Sequence, residues 1–368
     1  MAGDGTAFAG VAGAVCDELG LLHVGAPLRE QQQLAAGTAV APLGDRSVVT
    51  VTGPDRLSWL DSLTSQALAA LAPDVSTELL VLDPHGHVEH AASVVDDGET
   101  TWLIVDAARA ESLTTWLQRM RFRLRVEVAG RDDEFAVVGG TGAAVAGLST
   151  ATVWSDPWPA VSTGGWAYAS DDGHPGGDRD WSEAVVARDE LTRIATAATA
   201  GEISVAGRWA ADALRVAAWR PRAAAEADGM TLPHEVDWLR TAVHLSKGCY
   251  RGQETVAKVH NLGHPPRRIV ALQLDGSDAM LPEPGATVRV VAGDGVAGDE
   301  VGRITSVARH YEEGPIALAI VKRSVAVDAR LAVDVEGASI AAAQELIVPP
   351  DAGRTAAPPR LPRLSRRT

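Results

Sequence analysis

The sequence predicts an α+β fold in which antiparallel sheets carry helices, followed by a small C-terminal antiparallel β-barrel. In the first half, the predicted elements run strand, helix, hairpin, strand, helix, which indicates an antiparallel layer rather than a doubly wound sheet. Beyond position 263 the sequence changes to short alternating apolar and polar runs at close spacing, a pattern typical of a barrel.

Composition bounds the class of protein. The chain has 368 residues, of which 46% are hydrophobic and 22% charged, so it can form a soluble globular protein with two or three domains. No apolar run is long enough to cross a bilayer and the first residues do not resemble a secretory signal, so we expect a cytoplasmic protein. A net charge of −15 argues against nucleic acid or an anionic membrane as a partner.

Shifts in composition predict five segments. They are a partly ordered N-terminal extension (1–45), a first domain (46–130), a second domain (131–262) with a loop-rich insert (153–189), a barrel (263–348) and a disordered basic tail (349–368). Within them we expect a strand at 47–52, a helix from Pro54 to about Leu71, a hairpin at 78–95, a helix at 107–121, an edge strand at 123–128 and a helix at 210–218.

The chain contains two cysteines, Cys16 and Cys249. Around Cys16 apolar residues recur at helical spacing, which predicts a structural cysteine on a helix. Because a cubane cluster normally takes four thiolates, we expect no resident cluster. His85, His87 and His90 lie close together in sequence, but their predicted places in a turn and on opposite strand faces do not converge on a metal.

The unusual residues gather in the signature segment, Lys247-Gly248-Cys249-Tyr250-Arg251-Gly252-Gln253-Glu254. If the backbone is extended there, Lys247 and Arg251 flank the sulfur of Cys249 and favour its thiolate. A helix that begins near Gln253 places the cysteine ahead of a helix N-terminus, which favours the thiolate further. On these grounds alone, the alternative of a small buried hydrophobic cysteine stays open.

The motif Lys-Gly-Cys-Tyr-Xaa-Gly-Gln-Glu resembles the signature of the YgfZ family. This family is a folate-binding branch of the superfamily named for the glycine-cleavage aminomethyltransferase (GcvT). Gly53-Pro54-Asp55-Arg56 and the stretch from Val301 to Ser306 are also similar to that superfamily, and the likeness covers positions 47–347. It implies a GcvT-like fold and a tetrahydrofolate-linked role in assembling or repairing iron–sulfur clusters, chiefly [4Fe–4S], in client enzymes.

The resemblance also implies functional residues. Cys249 and Lys247 would be the reactive group and its activator, and Glu235 would bind the pterin of tetrahydrofolate or another folate derivative. Arg215, Arg220 and Arg222 could receive the carboxylates of the folate tail, although an ordinary solvated helix face is an equal alternative. Iron–sulfur client or scaffold proteins would be the partners.

The transferase itself is the alternative function. By eye, the paired Asp of the transferase falls at His90 and Ala91, and Cys249 stands where the transferase usually has an acid, so we expect no aminomethyltransferase activity. A folate-binding module without a redox role remains a third option if Cys249 is buried and inert. Three reactions of the Cys249 thiol remain open: transient metal ligation, disulfide exchange and attack on a folate-linked carbon.

Overall fold

A computed structural model describes residues 6–170, 172–277, 280–291 and 297–356. They form two antiparallel sheets flanked by helices and a closed six-stranded antiparallel barrel, so the predicted fold class is confirmed.

The N-terminal segment packs into the body of the protein. It holds a two-stranded hairpin, β1 (Val15–Asp17) and β2 (Gly20–His23), then helix α1 (Pro27–Ala35) and the short strand β3 (Ala41–Pro42). Phe8, Leu21 and Leu34 are buried, so the described part of the predicted extension, residues 6–45, contributes to the core. The predicted helix around Cys16 is wrong, because the residue lies in β1, where pairing with β2 takes precedence over the local helical period.

The first sheet has the strand order β5-β6-β7-β4-β8. Its strands are β4 (Arg46–Thr52), β5 (Thr77–Leu82), β6 (Val88–Asp96), β7 (Thr100–Asp106) and β8 (Glu127–Gly130). Helices α2 (Arg56–Leu63) and α3 (Ala107–Met120) pack their apolar residues against it. The predicted hairpin and the helix at 107–121 are therefore present, whereas α2 ends eight residues before Leu71 and the edge strand begins at Glu127 instead of position 123.

The second sheet has the order β10-β11-β9-β3. After β9 (Phe135–Gly140) come the one-turn helix α4 (Gly142–Val145), β10 (Thr150–Ser155), a 3₁₀ turn (Pro175–Asp178) and β11 (Ser182–Ala187). Two strands thus lie wholly or partly inside the insert predicted to be loop-rich. Trp154, Trp158 and Trp181 of this region are buried, so these indoles serve the core.

Helices α5 (Arg188–Thr199), α6 (Arg208–Ala217) and α7 (Ala223–Glu226) follow, then a 3₁₀ turn (Pro233–Val236) and α8 (Gln253–Leu262). Helix α6 begins two residues before the predicted start, and it contacts α1, β2 and the barrel strand β14 (Ala297–His310). It therefore joins the N-terminal segment to the barrel.

The barrel closes in the order β12-β15-β14-β13-β16-β17. The strands are β12 (Arg267–Leu274), β13 (Thr287–Val291), β14 (Ala297–His310), β15 (Gly314–Lys322), β16 (Leu331–Val335) and β17 (Ala338–Leu346). The segment after it is not wholly a disordered tail, because Ala352 is buried and Thr355 bonds to the carbonyl of His260. The rest of the predicted tail, 357–368, lies outside the described residues.

Within the described ranges, no helix combines the length and apolarity that a membrane crossing needs. The predicted cytoplasmic location stays a prediction.

Candidate functional site

The signature segment forms a loop that leads into α8, as the sequence predicted. Cys249 is exposed on this loop, which excludes the alternative of a buried hydrophobic cysteine. Tyr250 beside it is buried, and that burial raises the pKa of its phenol. Glu254 is exposed in the first turn of α8. The sulfur is therefore presented to solvent four residues before a helix begins.

Lys247 is turned into the protein, and its ammonium group is enclosed by backbone carbonyls. It donates to the carbonyl oxygens of Asp61, Thr64 at 3.0 Å and Gln66 at 2.6 Å, and it pairs with the carboxylate of Asp61 at 3.4 Å. Its side chain is only 3% exposed, and burial lowers its pKa, against the opposing effect of Asp61. Lys247 thus ties the signature loop to the C-terminal end of α2 and to the segment that follows it.

The predicted pair of cations flanking the thiol is not what the contacts show. Arg251 pairs with Glu89 of β6 at 2.6 Å, and the ammonium of Lys247 is held by the carbonyls described above. The residues from Ser246 to Gly252 form turns and irregular backbone rather than a strand, so the alternation assumed for an extended chain does not apply. Both cations anchor the loop to neighbouring elements.

Gly252 allows the loop to approach the β5–β6 hairpin closely. It caps α8 with a φ of 82°, a left-handed conformation that favours glycine. A Cβ at this position would lie 2.6 Å from the carbonyl oxygen of Asp83 and 3.0 Å from the Cα of Gly86. By contrast, a Cβ at Gly248 would meet nothing within 4 Å, so no neighbour requires glycine there. Gln253 donates to the carbonyl of Lys247 at 3.3 Å and closes the loop.

A large cleft of about 1620 Å³ lies where the first sheet, helix α6 and the barrel meet. Arg46 of β4, Arg208 and Trp209 of α6, and Arg303 of β14 line it. Trp209 is 53% exposed and its ring lies 4.9 Å from that of His23, so one indole face is supported by an imidazole while the residue remains accessible. The cleft has the size and the aromatic surface to accept a heteroaromatic ligand.

The three arginines predicted to receive a folate tail are already paired inside the protein. Arg215 bonds Asp212 at 2.7 Å and Glu226 at 3.2 Å. Ion pairs join Arg220 to Glu78 and Asp156, and join Arg222 to Asp45 and Asp106. A ligand carboxylate would have to displace an internal one, which argues against the predicted role. Arg215 and Arg222 do line the large cleft, but Arg220 does not.

These charges surround a small inner cavity of about 70 Å³, too small for a pterin. The Nη1 atom of Arg220 and the Oε2 atom of Glu183 are buried there and have no hydrogen-bond partner among the described residues. A buried donor and acceptor of this kind are normally satisfied by ordered water. The large cleft is therefore the better place for a ligand.

Glu235, the predicted pterin partner, is fully buried in the 3₁₀ turn. One of its oxygens accepts from Arg267 at 2.8 Å and from the amide of Leu232 at 3.2 Å. It is absent from the lining of the large cleft. These contacts hold β12 against the turn, which is a structural role, and they argue against direct contact with a ligand.

His90 and Ala91, the positions predicted to correspond to the acidic pair of the transferase, lie in β6. Burial lowers the pKa of His90 to about 4, with a further lowering by Arg109, so its ring is neutral near pH 7. Ala91 lines the inner cavity and has no ionisable group. Neither residue replaces the expected carboxylate.

For metals, the part of the chain that the structure describes contains no group of three or more His, Cys, Asp or Glu side chains able to hold an ion. His87 pairs instead with Asp83 at 2.9 Å, which orders the hairpin turn.

Sequence reasoning missed two features of this region. One is the carbonyl cage around Lys247, which depends on the backbone path of residues 61–66 and leaves no side-chain signal. The other is the position of Trp209 in the wall of the large cleft, in the first turn of α6 beside Arg208. A tryptophan next to an arginine, just ahead of the helix predicted at 210–218, was the available signal.

Comparison with known proteins agrees with this architecture. Residues 267–346 match the protein family described as the glycine cleavage T-protein C-terminal barrel domain. Most of the chain is similar to the crystal structure of the glycine cleavage system aminomethyltransferase T from Bartonella henselae. The TM-score is 0.68 and the identity 17%, over 91% of this chain and 94% of that chain. The GcvT-like fold is therefore shown.

A second structure, the heterotetrameric sarcosine oxidase from Corynebacterium sp. U-96, is similar over 48% of this chain and 94% of that chain at 10% identity. Its TM-score of 0.25 is too low to carry an argument. No curated protein matches the chain in sequence. The barrel match and the shared fold support the GcvT/YgfZ superfamily, and they do not single out the YgfZ family within it.

Proposed function

We propose that this protein is a tetrahydrofolate-binding accessory factor for the assembly or repair of [4Fe–4S] clusters in client enzymes. The observation that carries the proposal is the presentation of Cys249. Its thiol is exposed, while the residues on both sides are anchored through Lys247, Tyr250 and Gly252. A rigid loop with one exposed thiol suits a reaction with a large partner better than an enclosed small-molecule site.

The proposed folate site is the large cleft. Its volume exceeds the range of drug-sized ligand pockets, so the pterin and the p-aminobenzoyl glutamate could both be accommodated. Trp209 would stack on a ring of the ligand, and the neighbouring Arg208 and Arg303 would approach its carboxylates. Both arginines already pair with Asp17 and Asp228, so any contact would be shared with those acids. When bound, tetrahydrofolate would supply a carrier for a one-carbon unit.

The clusters belong to other chains in this proposal. The sequence has two cysteines, and a cubane normally takes four thiolates. Cys16 lies in the N-terminal hairpin, in a different element from Cys249. An iron–sulfur client or scaffold protein would therefore contribute the other ligands.

A folate-dependent, aminomethyltransferase-like one-carbon enzyme is the second candidate. The shared fold with the Bartonella henselae aminomethyltransferase favours it. Against it stand His90, which is neutral near pH 7, and Ala91, which cannot ionise. Release of ammonia from an aminomethylated carrier protein in the presence of tetrahydrofolate would support this candidate, and no such release is expected.

Complementation tests the function. Cells deleted for this protein receive the intact chain, Cys249→Ser or the matched control Cys16→Ser, and the activity of [4Fe–4S] enzymes is measured. We expect Cys16→Ser to restore activity and Cys249→Ser to leave it low for a subset of enzymes, with both variants folded by circular dichroism. Full rescue by Cys249→Ser would show that the thiol is not the working group.

Fluorescence titration tests the folate site independently of the thiol. Tetrahydrofolate should quench the emission of the intact chain saturably, and Trp209→Ala should weaken binding at least roughly fivefold, as expected for the loss of one stacking contact. Trp166→Ala, which removes another exposed indole, should bind like the intact chain. Absence of a saturable change at millimolar folate would exclude the site.

A further inference from the structure

A second pocket, of about 360 Å³, lies on the α8 side of the signature loop. We call it the aromatic pocket, because Trp166, Tyr250 and His260 line it together with Leu245 and Val256. It shares no lining residue with the large cleft.

The walls of the aromatic pocket are fixed in place. The ring of Trp166 meets that of His260 edge to face at 5.1 Å, and Nδ1 of His260 is 3.0 Å from the hydroxyl of Tyr168. Burial lowers the pKa of His260, so its ring is neutral near pH 7. Trp166 is nevertheless 43% exposed, and Leu262, just beyond the pocket on α8, is 61% exposed. A rigid aromatic site with exposed apolar surface around it is typical of a docking site for a polypeptide.

The C-terminal part of the described chain lies beside this pocket. After the barrel it packs along α8, where Ala352 accepts from Nδ1 of His264 at 2.8 Å. The amide of Thr355 then donates to the carbonyl of His260, and the amide of Ala356 donates to that of Asn261, at 3.0 and 3.1 Å. His260 and Asn261 are both lining residues of the aromatic pocket. Ala356, the last residue that the structure describes, therefore lies beside the pocket.

The sequence that follows has the composition of a ligand for such a pocket. It reads Ala-Pro-Pro-Arg-Leu-Pro-Arg-Leu-Ser-Arg-Arg-Thr over positions 357–368. Proline-rich segments of this type bind aromatic-lined grooves in the polyproline II conformation. Because that conformation repeats every three residues, it would align Pro359 with Pro362 and Leu361 with Leu364. The intervening arginines could stack on an exposed indole such as that of Trp166.

We propose that residues 357–368 dock in the aromatic pocket of their own chain. At about 3.1 Å per residue an extended segment of this length reaches roughly 35 Å, ample for a pocket at its starting point. The attachment at Ala356 also makes the contact intramolecular, at an effective concentration on the order of millimolar. This inference is independent of the proposed function.

A binding experiment tests the proposal. A chain shortened after Ala356 keeps the buried Ala352 and the bonds to α8, and it is titrated with a fluorescently labelled peptide of sequence 357–368. We expect saturable binding to the shortened chain and at least roughly tenfold weaker binding to the intact chain, whose own segment competes. Trp166→Ala in the shortened chain should weaken binding at least roughly tenfold, and Trp209→Ala should leave it unchanged. A peptide of the same composition in scrambled order should not bind.

Three outcomes would overturn the proposal. The peptide could fail to bind the shortened chain, it could bind the intact chain equally well, or Trp166→Ala could leave binding unchanged. Sedimentation of the intact and shortened chains completes the test. If the intact chain dimerises and the shortened chain does not, the segment occupies the pocket of a second copy and intramolecular docking is refuted.

Discussion

Replacing Lys247 by methionine is expected to loosen the signature loop, whereas the same change at Arg251 should have little effect. The two cations are symmetric about Cys249 in sequence, yet their environments differ. The ammonium of Lys247 serves three carbonyls and has a side chain only 3% exposed, while the side chains of Arg251 and Glu89 are 33% and 36% exposed.

The expected difference in the free energy of unfolding between the two variants follows from these contacts. Hydrogen bonds from a charged donor are worth roughly 1.5–3 kcal/mol each, so the cage is worth several kcal/mol before the cost of burying the ammonium is subtracted. Methionine carries no charge, so the variant avoids the cost of burying an ammonium group and this offsets part of the lost hydrogen-bond energy. The net loss in the free energy of unfolding is about 3 kcal/mol. A half-exposed ion pair such as that of Arg251 contributes about 0.5 kcal/mol.

Calorimetry and limited proteolysis provide the assay. At roughly 2.1 cal/mol/K per residue, the expected loss for Lys247→Met corresponds to a fall in Tm of about 4 °C, against less than about 1 °C for Arg251→Met. Cleavage between positions 61 and 66, or near 248, should also accelerate in Lys247→Met alone. Equal shifts in the two variants, or a larger one at Arg251, would refute the cage as the element that holds the loop.

Two further predictions concern titratable groups. Iodoacetamide should modify Cys249 at least roughly tenfold faster than Cys16 in the folded protein, because Cys249 is exposed whereas burial and Asp17 raise the pKa of the Cys16 thiol; equal labelling in mass spectrometry would contradict this. Burial lowers the pKa of His234 from 6.5 to about 4. The contribution of His234 to the free energy of unfolding is therefore fully present above pH 6.5 and is lost as the pH falls from 6.5 to 4, because the unfolded state takes up the proton first. This loss is at most about 3 kcal/mol. Denaturation against pH should show this slope reduced in His234→Gln but not in His85→Gln, and an unchanged slope in His234→Gln would exclude His234 as its source.

Local sequence determined much of this protein. Alternation of apolar residues predicted the β5–β6 hairpin and the strands of the barrel, because this alternation is a local property of each strand. It did not predict which barrel strands pair, such as β12 with β15 and β13 with β16. The start of α8 was evident from Gly252 and the helical residues after it. The exposed Cys249 was singled out by its cation-rich, glycine-flanked surroundings and by resemblance to a known signature. The N-terminal hairpin was missed because its strands are short and their apolar spacing also fits a helix.

The partners of the charged side chains were decided only by the tertiary structure. Lys247 finds its acceptors in a loop some 180 positions away, Arg251 finds Glu89, and Arg222 finds Asp45 and Asp106. Sequence spacing carries no information about such long-range pairs, so residues expected to bind a ligand are used to hold sheets and barrel together. The same assembly creates the two pockets, since the cleft and the aromatic pocket each combine residues from distant segments. The sequence could therefore indicate the reactive residue, while the surfaces around it exist only once the chain has folded.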